Sequence, residues 1–216
     1  MPKLLLATNN PAKAQEYSLL LKGIPFEIVT LAEQGIELQV RETGKTLEGN
    51  ATIKAKAYAT QGNLLTLADD SGLEVAALGG EPGALSARYA GEGVSDSERI
   101  EYLLAKLRLI PWEERAACFR CVIAIAMPDG KIELCQGECR GTIAFEPKGE
   151  NGFGYDPIFY LPESGRTMAE LSIEEKNEIS HRGRAARKAR QILERQILQK
   201  GESRETKATK SSKNSE

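Results

Sequence analysis

The chain has 216 residues, 41% of them hydrophobic and 28% charged, which is enough apolar material for a sizeable core in one domain or two closely joined lobes. Its 29 basic and 31 acidic side chains leave a net charge of −2. That excludes a global field able to gather a polyanion, so phosphate binding has to come from a local site and no nucleic-acid partner is expected. The apolar opening Leu4-Leu5-Leu6-Ala7 stops at Thr8-Asn9-Asn10-Pro11, too early for a secretory leader, and no run approaches the ~20 residues of a membrane span. A cytoplasmic protein without a membrane partner is expected.

Taken in chain order, residues 3–8 read as a buried strand. Asn10 and Pro11 then supply an N-cap and a first-turn proline for a helix to about residue 22, stopped by Gly23. Residues 26–29 form a second strand, and 36–40 are a candidate strand ahead of the turn Glu42-Thr43-Gly44-Lys45. Thr46 caps a helix over 46–61, whose Ala51, Ala55 and Ala59 share one face and predict close packing. Residues 64–68 read as a short apolar strand ending on Asp69-Asp70-Ser71-Gly72. The glycine-rich stretch 78–93 reads as a long functional or mobile loop, followed by a helix over 96–109. Residues 117–127 and 131–145 make a β-hairpin closed by Pro128-Asp129-Gly130. A glycine-rich turn over 149–154 enters a strand over 156–160, and helices cover 174–180 and 182–199. From residue 200 to 216 the chain is Lys, Ser, Glu and Thr without apolar periodicity, a composition that predicts a disordered tail behind a 1–199 domain.

Four segments carry chemistry. Thr8, Asn9, Asn10 and Lys13 occupy a strand end that enters a helix N-terminus, where free N–H groups and the helix dipole favour an anion; a lysine in that first turn points to a bound phosphate, against the plain reading of an Asn-Pro cap with a solvated lysine. Asp69 and Asp70 sit at the carboxyl end of a strand, where open α/β sheets hold ligands. Two adjacent carboxylates repel and suit a hard cation such as Mg²⁺, although an acidic β-turn gives the same pattern. In Asn151-Gly152-Phe153-Gly154-Tyr155-Asp156-Pro157 a glycine-flanked ring can stack on a base. Lys176 precedes Ser180-His181-Arg182-Gly183, which contains the single histidine.

Three competing patterns are also present. Cys118, Cys121, Cys135 and Cys139 have zinc-like spacing, but the first pair lies in a strand, where residues three apart face opposite sides. Gly44-Lys45-Thr46 followed by Asp69-Asp70 imitates a phosphate-binding P-loop, yet Gln39 stands where that motif needs glycine. Arg184, Arg187, Lys188 and Arg195 form a basic stripe opposite an apolar helix face, an ordinary solvated surface.

Together with Glu16, Glu42-Thr43-Gly44, Glu48, Asn50, Lys54, Gly83, Ala87-Arg88-Tyr89 and Leu73, these segments resemble the inosine triphosphate pyrophosphatase family of the Ham1 and RdgB type, over residues 3–199 and in order. The resemblance implies an elongated, two-lobed α/β fold with a long mixed sheet flanked by helices, an active site in the cleft between lobes, and a homodimer. It also implies Mg²⁺-dependent hydrolysis of ITP, dITP or XTP to the monophosphate and pyrophosphate, which keeps non-standard purines out of DNA and RNA. Carried over by motif, Asp70 is the general base and, with Glu42, a metal ligand. Thr8, Asn9, Asn10, Lys13 and Lys54 serve the phosphates. Ser71, Phe153, Gly154, Tyr155, Asp156, Lys176, His181 and Arg182 bind the nucleotide, the latter group at the base. A P-loop kinase, a Maf-like pyrophosphatase of other modified nucleotides and a nucleotide-binding regulator without turnover remain the alternatives.

Overall fold

A computed structural model of the chain describes residues 1–212, with side chains described to residue 197. Eight strands form one mixed sheet: β1 (Lys3–Leu6), β2 (Glu27–Thr30), β3 (Leu65–Val75), β4 (Pro82–Gly83), β5 (Ala116–Ala126), β6 (Ile132–Ile143), β7 (Phe159–Leu161) and β8 (Arg166–Thr167). Their spatial order is β2-β1-β3-β5-β6-β7-β8, with β4 paired to β3. The β2, β1 and β3 strands are parallel, and from β3 onward every pairing is antiparallel. Five α-helices flank the sheet: α1 (Pro11–Leu20), α2 (Leu47–Gly62), α3 (Asp96–Lys106), α4 (Ile173–Ile179) and α5 (His181–Ser212). Helix α5 runs on through residues 200–212, part of the 200–216 tail for which disorder is expected; residues 213–216 lie outside the described residues.

Strand alternation sorts the core into layers. Leu4, Leu6, Leu67, Ile123 and Ile125 pack with Tyr17, Leu21, Ala185, Ala186, Ala189 and Leu193 of α1 and α5. Leu5, Ala68, Val122 and Ala124 face the other way onto Ala51, Ala55, Tyr58 and Ala59 of α2. The small alanines let that helix sit close to the sheet, as their spacing predicts. A second core gathers the far ends of β3 and β5 (Leu73, Val75, Phe119) with Leu103 and Leu107 of α3, Phe159 and Met168. The long central strands are therefore shared by two lobes.

Three expectations are corrected. The strand read as 64–68 continues through Asp69 and Asp70 to Val75, because all ten residues from Thr66 to Val75 pair with β5; the two aspartates are mid-strand, not at a strand end. Residues 36–40 take no strand conformation. Asp156–Ile158 is a single 3₁₀ turn, with the strand beginning at Phe159.

Candidate active site

Where the lobes meet, a cleft of about 610 Å³ opens, within the size range of small-molecule sites. Every residue to which the resemblance gives a role lines it: Thr8, Asn9, Asn10 and Lys13, Glu42, Lys54, Asp70 and Ser71, Phe153 to Asp156, and Lys176, His181 and Arg182. They come from separate elements that the sheet draws together. Asn10 caps α1, its Oδ1 accepting the Lys13 N–H at 3.1 Å, so the positive end of that helix opens toward the cleft.

Mid-strand placement of Asp69 and Asp70 changes their electrostatics. On β3 adjacent side chains point to opposite faces, so the two carboxylates do not share one cation. Asp69 faces α1 and α5: Lys13 Nζ lies 2.8 Å from its Oδ2, Ser71 Oγ donates to it at 2.9 Å, and Arg182 Nε stands 3.8 Å away. Burial alone would raise its pKa, but Lys13, Arg182 and Lys54 outweigh that and hold the carboxyl well below the usual range. Asp70 faces α2, where Asn50 Nδ2 donates to its Oδ2 at 3.0 Å and Lys54 Nζ is 3.4 Å from its Oδ1. Burial raises the Asp70 carboxyl above its ordinary value, and the charge of Glu42 adds to this against the pull of Lys54. A carboxylate so raised is a stronger proton acceptor.

Lys54 also reaches Glu42 Oε1 at 2.6 Å, so one ammonium lies between the two carboxylates assigned by resemblance to a metal. Among the described residues no three His, Cys, Asp or Glu side chains form a metal cluster. Mg²⁺, however, keeps several waters and commonly takes only one or two carboxylates plus substrate phosphates. Two hard oxygen donors converging on a cation position fit that ion.

The opposite end of the cleft is built differently. Lys176 contacts Glu16 Oε1 at 2.7 Å and Asp156 Oδ2 at 2.5 Å, and Arg182 contacts Glu16 Oε2 at 2.6 Å. With Lys13 and Asp69 the charges alternate in a buried chain, Lys13, Asp69, Arg182, Glu16, Lys176, Asp156. Asp156 also accepts the Phe153 N–H at 2.9 Å, which sets the ring 4.8 Å from Lys176 Nζ and 5.3 Å from the Arg182 guanidinium. His181 stacks on Phe119 with centroids 4.7 Å apart. Burial, then the charges of Arg182, Lys176 and Lys13, push the imidazole pKa well below its ordinary value, so it is neutral. His181 Nδ1 and Arg182 Nε are buried without a hydrogen-bond partner among the described residues, and both residues line the cleft. Buried orphans of this kind are rare in folded proteins.

Gly137 on β6 explains how α5 delivers these two side chains. A Cβ there would collide with the His181 carbonyl oxygen and the Ala185 nitrogen, so only glycine lets the first turn of α5 lie against the strand.

The competing patterns resolve by position. Lys45 is exposed and outside the cleft, no strand precedes it, and Thr46 Oγ1 caps α2 by accepting the Gly49 N–H; no P-loop is formed. All four cysteines are free, Cys121 beneath Asp69 with its thiol pushed up to about 11 by burial. In the basic stripe Lys188 donates to the Gln136 carbonyl and Arg195 pairs with Glu133.

Residues 4–192 match the model of the Ham1 family. The chain belongs to that family. Relatives within it include the dITP/XTP pyrophosphatases of Desulforamulus reducens, 51% identical over 89% of this chain and 96% of the relative, and of Bacillus subtilis, 45% identical over 90% and 98%. Among solved structures, a HAM1 protein from Coxiella burnetii superposes with a TM-score of 0.82 at 44% identity, covering 89% of this chain and 98% of that one. The Staphylococcus aureus Ham1 protein gives 0.81 at 44% identity, covering 90% and 99%. The mixed α/β fold with its long sheet is thus the Ham1 fold.

Several residues in and behind the cleft carry no role on sequence grounds. Glu16 appears within the family-like pattern, but its bonds to Lys176 and Arg182 join positions 160 and 166 apart, which no local spacing announces. Asp96 and Arg99 line the cleft itself, Asp96 Oδ2 accepting the Gly154 N–H at 2.5 Å. Asn50 had a usable signal: it lies one helical turn before Lys54, on the same face.

Proposed function

We propose that this chain is a dITP/XTP pyrophosphatase, acting also on ITP, that cleaves its substrate to the nucleoside monophosphate and pyrophosphate and so clears non-standard purines from the nucleotide pool. The observation that carries this reading is the polarity of the cleft. Carboxylates, Lys54 and a helix N-terminus stand at one end, while an aromatic ring and buried donors stand at the other, matching the two ends of a nucleoside triphosphate. We further propose that the enzyme works in the cytoplasm as a homodimer and depends on Mg²⁺ held by Glu42 and Asp70, which when bound would offset triphosphate charge.

Asp70 accepts a proton from the water that attacks the α-phosphorus; the bond from that phosphorus to the bridging oxygen breaks, and pyrophosphate leaves with the bridging electron pair. Lys54, Lys13 and the α1 N-terminus stabilise the departing charge. Around the base, Phe153 offers a face for stacking, and Arg182 or His181 a donor for the C6 carbonyl of hypoxanthine or xanthine. Adenine would place an amino group there and leave the donor unpaired, a mismatch worth up to about 10⁴-fold in discrimination.

The test is product analysis with XTP, dITP, ITP, GTP and ATP, with Mg²⁺ and with EDTA. The reading expects monophosphate and pyrophosphate from the first three only, lost on chelation. Release of free phosphate and diphosphate, or no turnover of any of them, would remove it.

A further inference from the structure

Asn50 has no exposed surface and does not line the cleft, yet both ends of its amide are committed to groups that do the cleft's work. Its Oδ1 accepts the Gly44 N–H at 2.8 Å, and its Nδ2 donates to Asp70 Oδ2 at 3.0 Å. Gly44 stands two residues beyond Glu42, and its backbone is pressed onto the amide: a Cβ there would lie 2.6 Å from Asn50 Oδ1 and 2.9 Å from the Asn50 nitrogen. One side chain thus ties the Glu42 turn, which belongs to no strand or helix, to a mid-strand carboxylate. Because Asn50 holds Oδ2 of Asp70, it is Oδ1 that lies 3.4 Å from Lys54 Nζ, whose other contact is Glu42.

We propose that Asn50 is a positioning residue that fixes Glu42 and Asp70 relative to one another and selects Asp70 Oδ1 as the oxygen shared with the cation position. This rests on the reading of Glu42 and Asp70 as the cation-binding, water-activating end of the cleft. A primary amide is the group this task needs: as a buried side chain it donates in one direction and accepts in the other without adding charge between two carboxylates. An asparagine that merely satisfied the Gly44 N–H would affect stability alone. One that positions the pair acts on cation affinity and on turnover.

Asn50→Asp keeps the volume and the acceptor for Gly44 but sets a like charge against Asp70, Asn50→Ala removes both bonds, and Gly44→Ala strains the bridge from its other end. Mn²⁺ binding without nucleotide, measured by calorimetry, and the kcat and KM for XTP are followed alongside thermal unfolding. Loss of such a supporting contact lowers metal affinity or activity by about 10- to 100-fold; that loss is expected in Mn²⁺ affinity and kcat for all three variants, with KM for XTP changed by less. Adding Gly44→Ala to Asn50→Ala is expected to cost less than Gly44→Ala alone, because the two act on one bridge. If Asn50→Ala does not fold, the other two variants carry the test. Wild-type Mn²⁺ affinity and kcat in the folded variants, with only a lower unfolding temperature, overturn the proposal, as does a wild type that binds no Mn²⁺. Should wild type bind Mn²⁺ yet release no pyrophosphate from XTP, the functional reading fails, and the Mn²⁺ affinities alone decide the role of Asn50.

Discussion

The two ends of the cleft hold their charges in opposite ways. At the Asp70 end the Glu42 and Lys54 side chains keep 27% and 13% of their exposure, and one ammonium serves two carboxylates. At the Phe153 end Glu16, Lys176, Asp156 and Arg182 keep 4% or less, and Lys176 and Arg182 are each fixed between two acids, with Glu16 shared by both. Ion pairs near solvent rearrange at little cost, whereas a buried pair cannot lose a partner without leaving an uncompensated charge. One end is thus free to exchange its lysine contacts for a metal ion and phosphates, and the other presents a preorganised surface that a base either fits or does not.

The sharpest separation comes from Asp70→Asn. Removing the proton acceptor is expected to lower kcat by about 10³-fold, while stability in urea equals or exceeds that of wild type, because burial and Glu42 disfavour the Asp70 charge. Glu16→Gln is expected to do the reverse in kind. It leaves Lys176 and Arg182 short of a buried counter-charge, a loss of roughly 3–5 kcal/mol of stability, read as a shifted urea midpoint; a Glu16→Gln protein as stable as wild type would break the comparison.

A smaller effect follows from His181, the chain's one histidine. Its folded pKa lies well below its ordinary 6.5, through burial and then Arg182, Lys176 and Lys13. As pH falls below about 6.5 the unfolded chain takes up a proton that the folded one refuses, so stability present at pH 7 and above is lost with a limiting slope of about 1.4 kcal/mol per pH unit. Urea titrations from pH 7.5 to 5.5 are expected to show that slope in wild type and its absence in His181→Gln. The smallest effect concerns Cys121 and Cys135, whose thiols burial pushes up to about 11 and about 12. Iodoacetamide at pH 8 is expected to modify them only after denaturation, as mass spectrometry of the digested protein would show.

Much of this was legible in the sequence because it is local. The Asn10 cap, the alanine face of α2, the hairpin and the aromatic turn each declare themselves within a few residues. Strand β3 misled because Asp69-Asp70-Ser71-Gly72 has turn composition, while ten pairings with β5 and the burial of Leu73 and Val75 hold it extended. That error also hid the division of labour between the two aspartates, one locked to Lys13 and Arg182 and the other offered to Lys54. Residues 36–40 have strand-like composition but no sheet partner. The chain of charges through Glu16 arises only when α1, β3, α4 and α5 converge, and no spacing along the chain encodes it.

The most direct test of the account is ³¹P NMR of XTP hydrolysed in ¹⁸O-labelled water. Attack of an Asp70-activated water on the α-phosphorus predicts label in the monophosphate and none in pyrophosphate. Label in pyrophosphate, or in free phosphate, would mean that water attacks elsewhere on the chain of phosphates and that the cleft is not arranged as described.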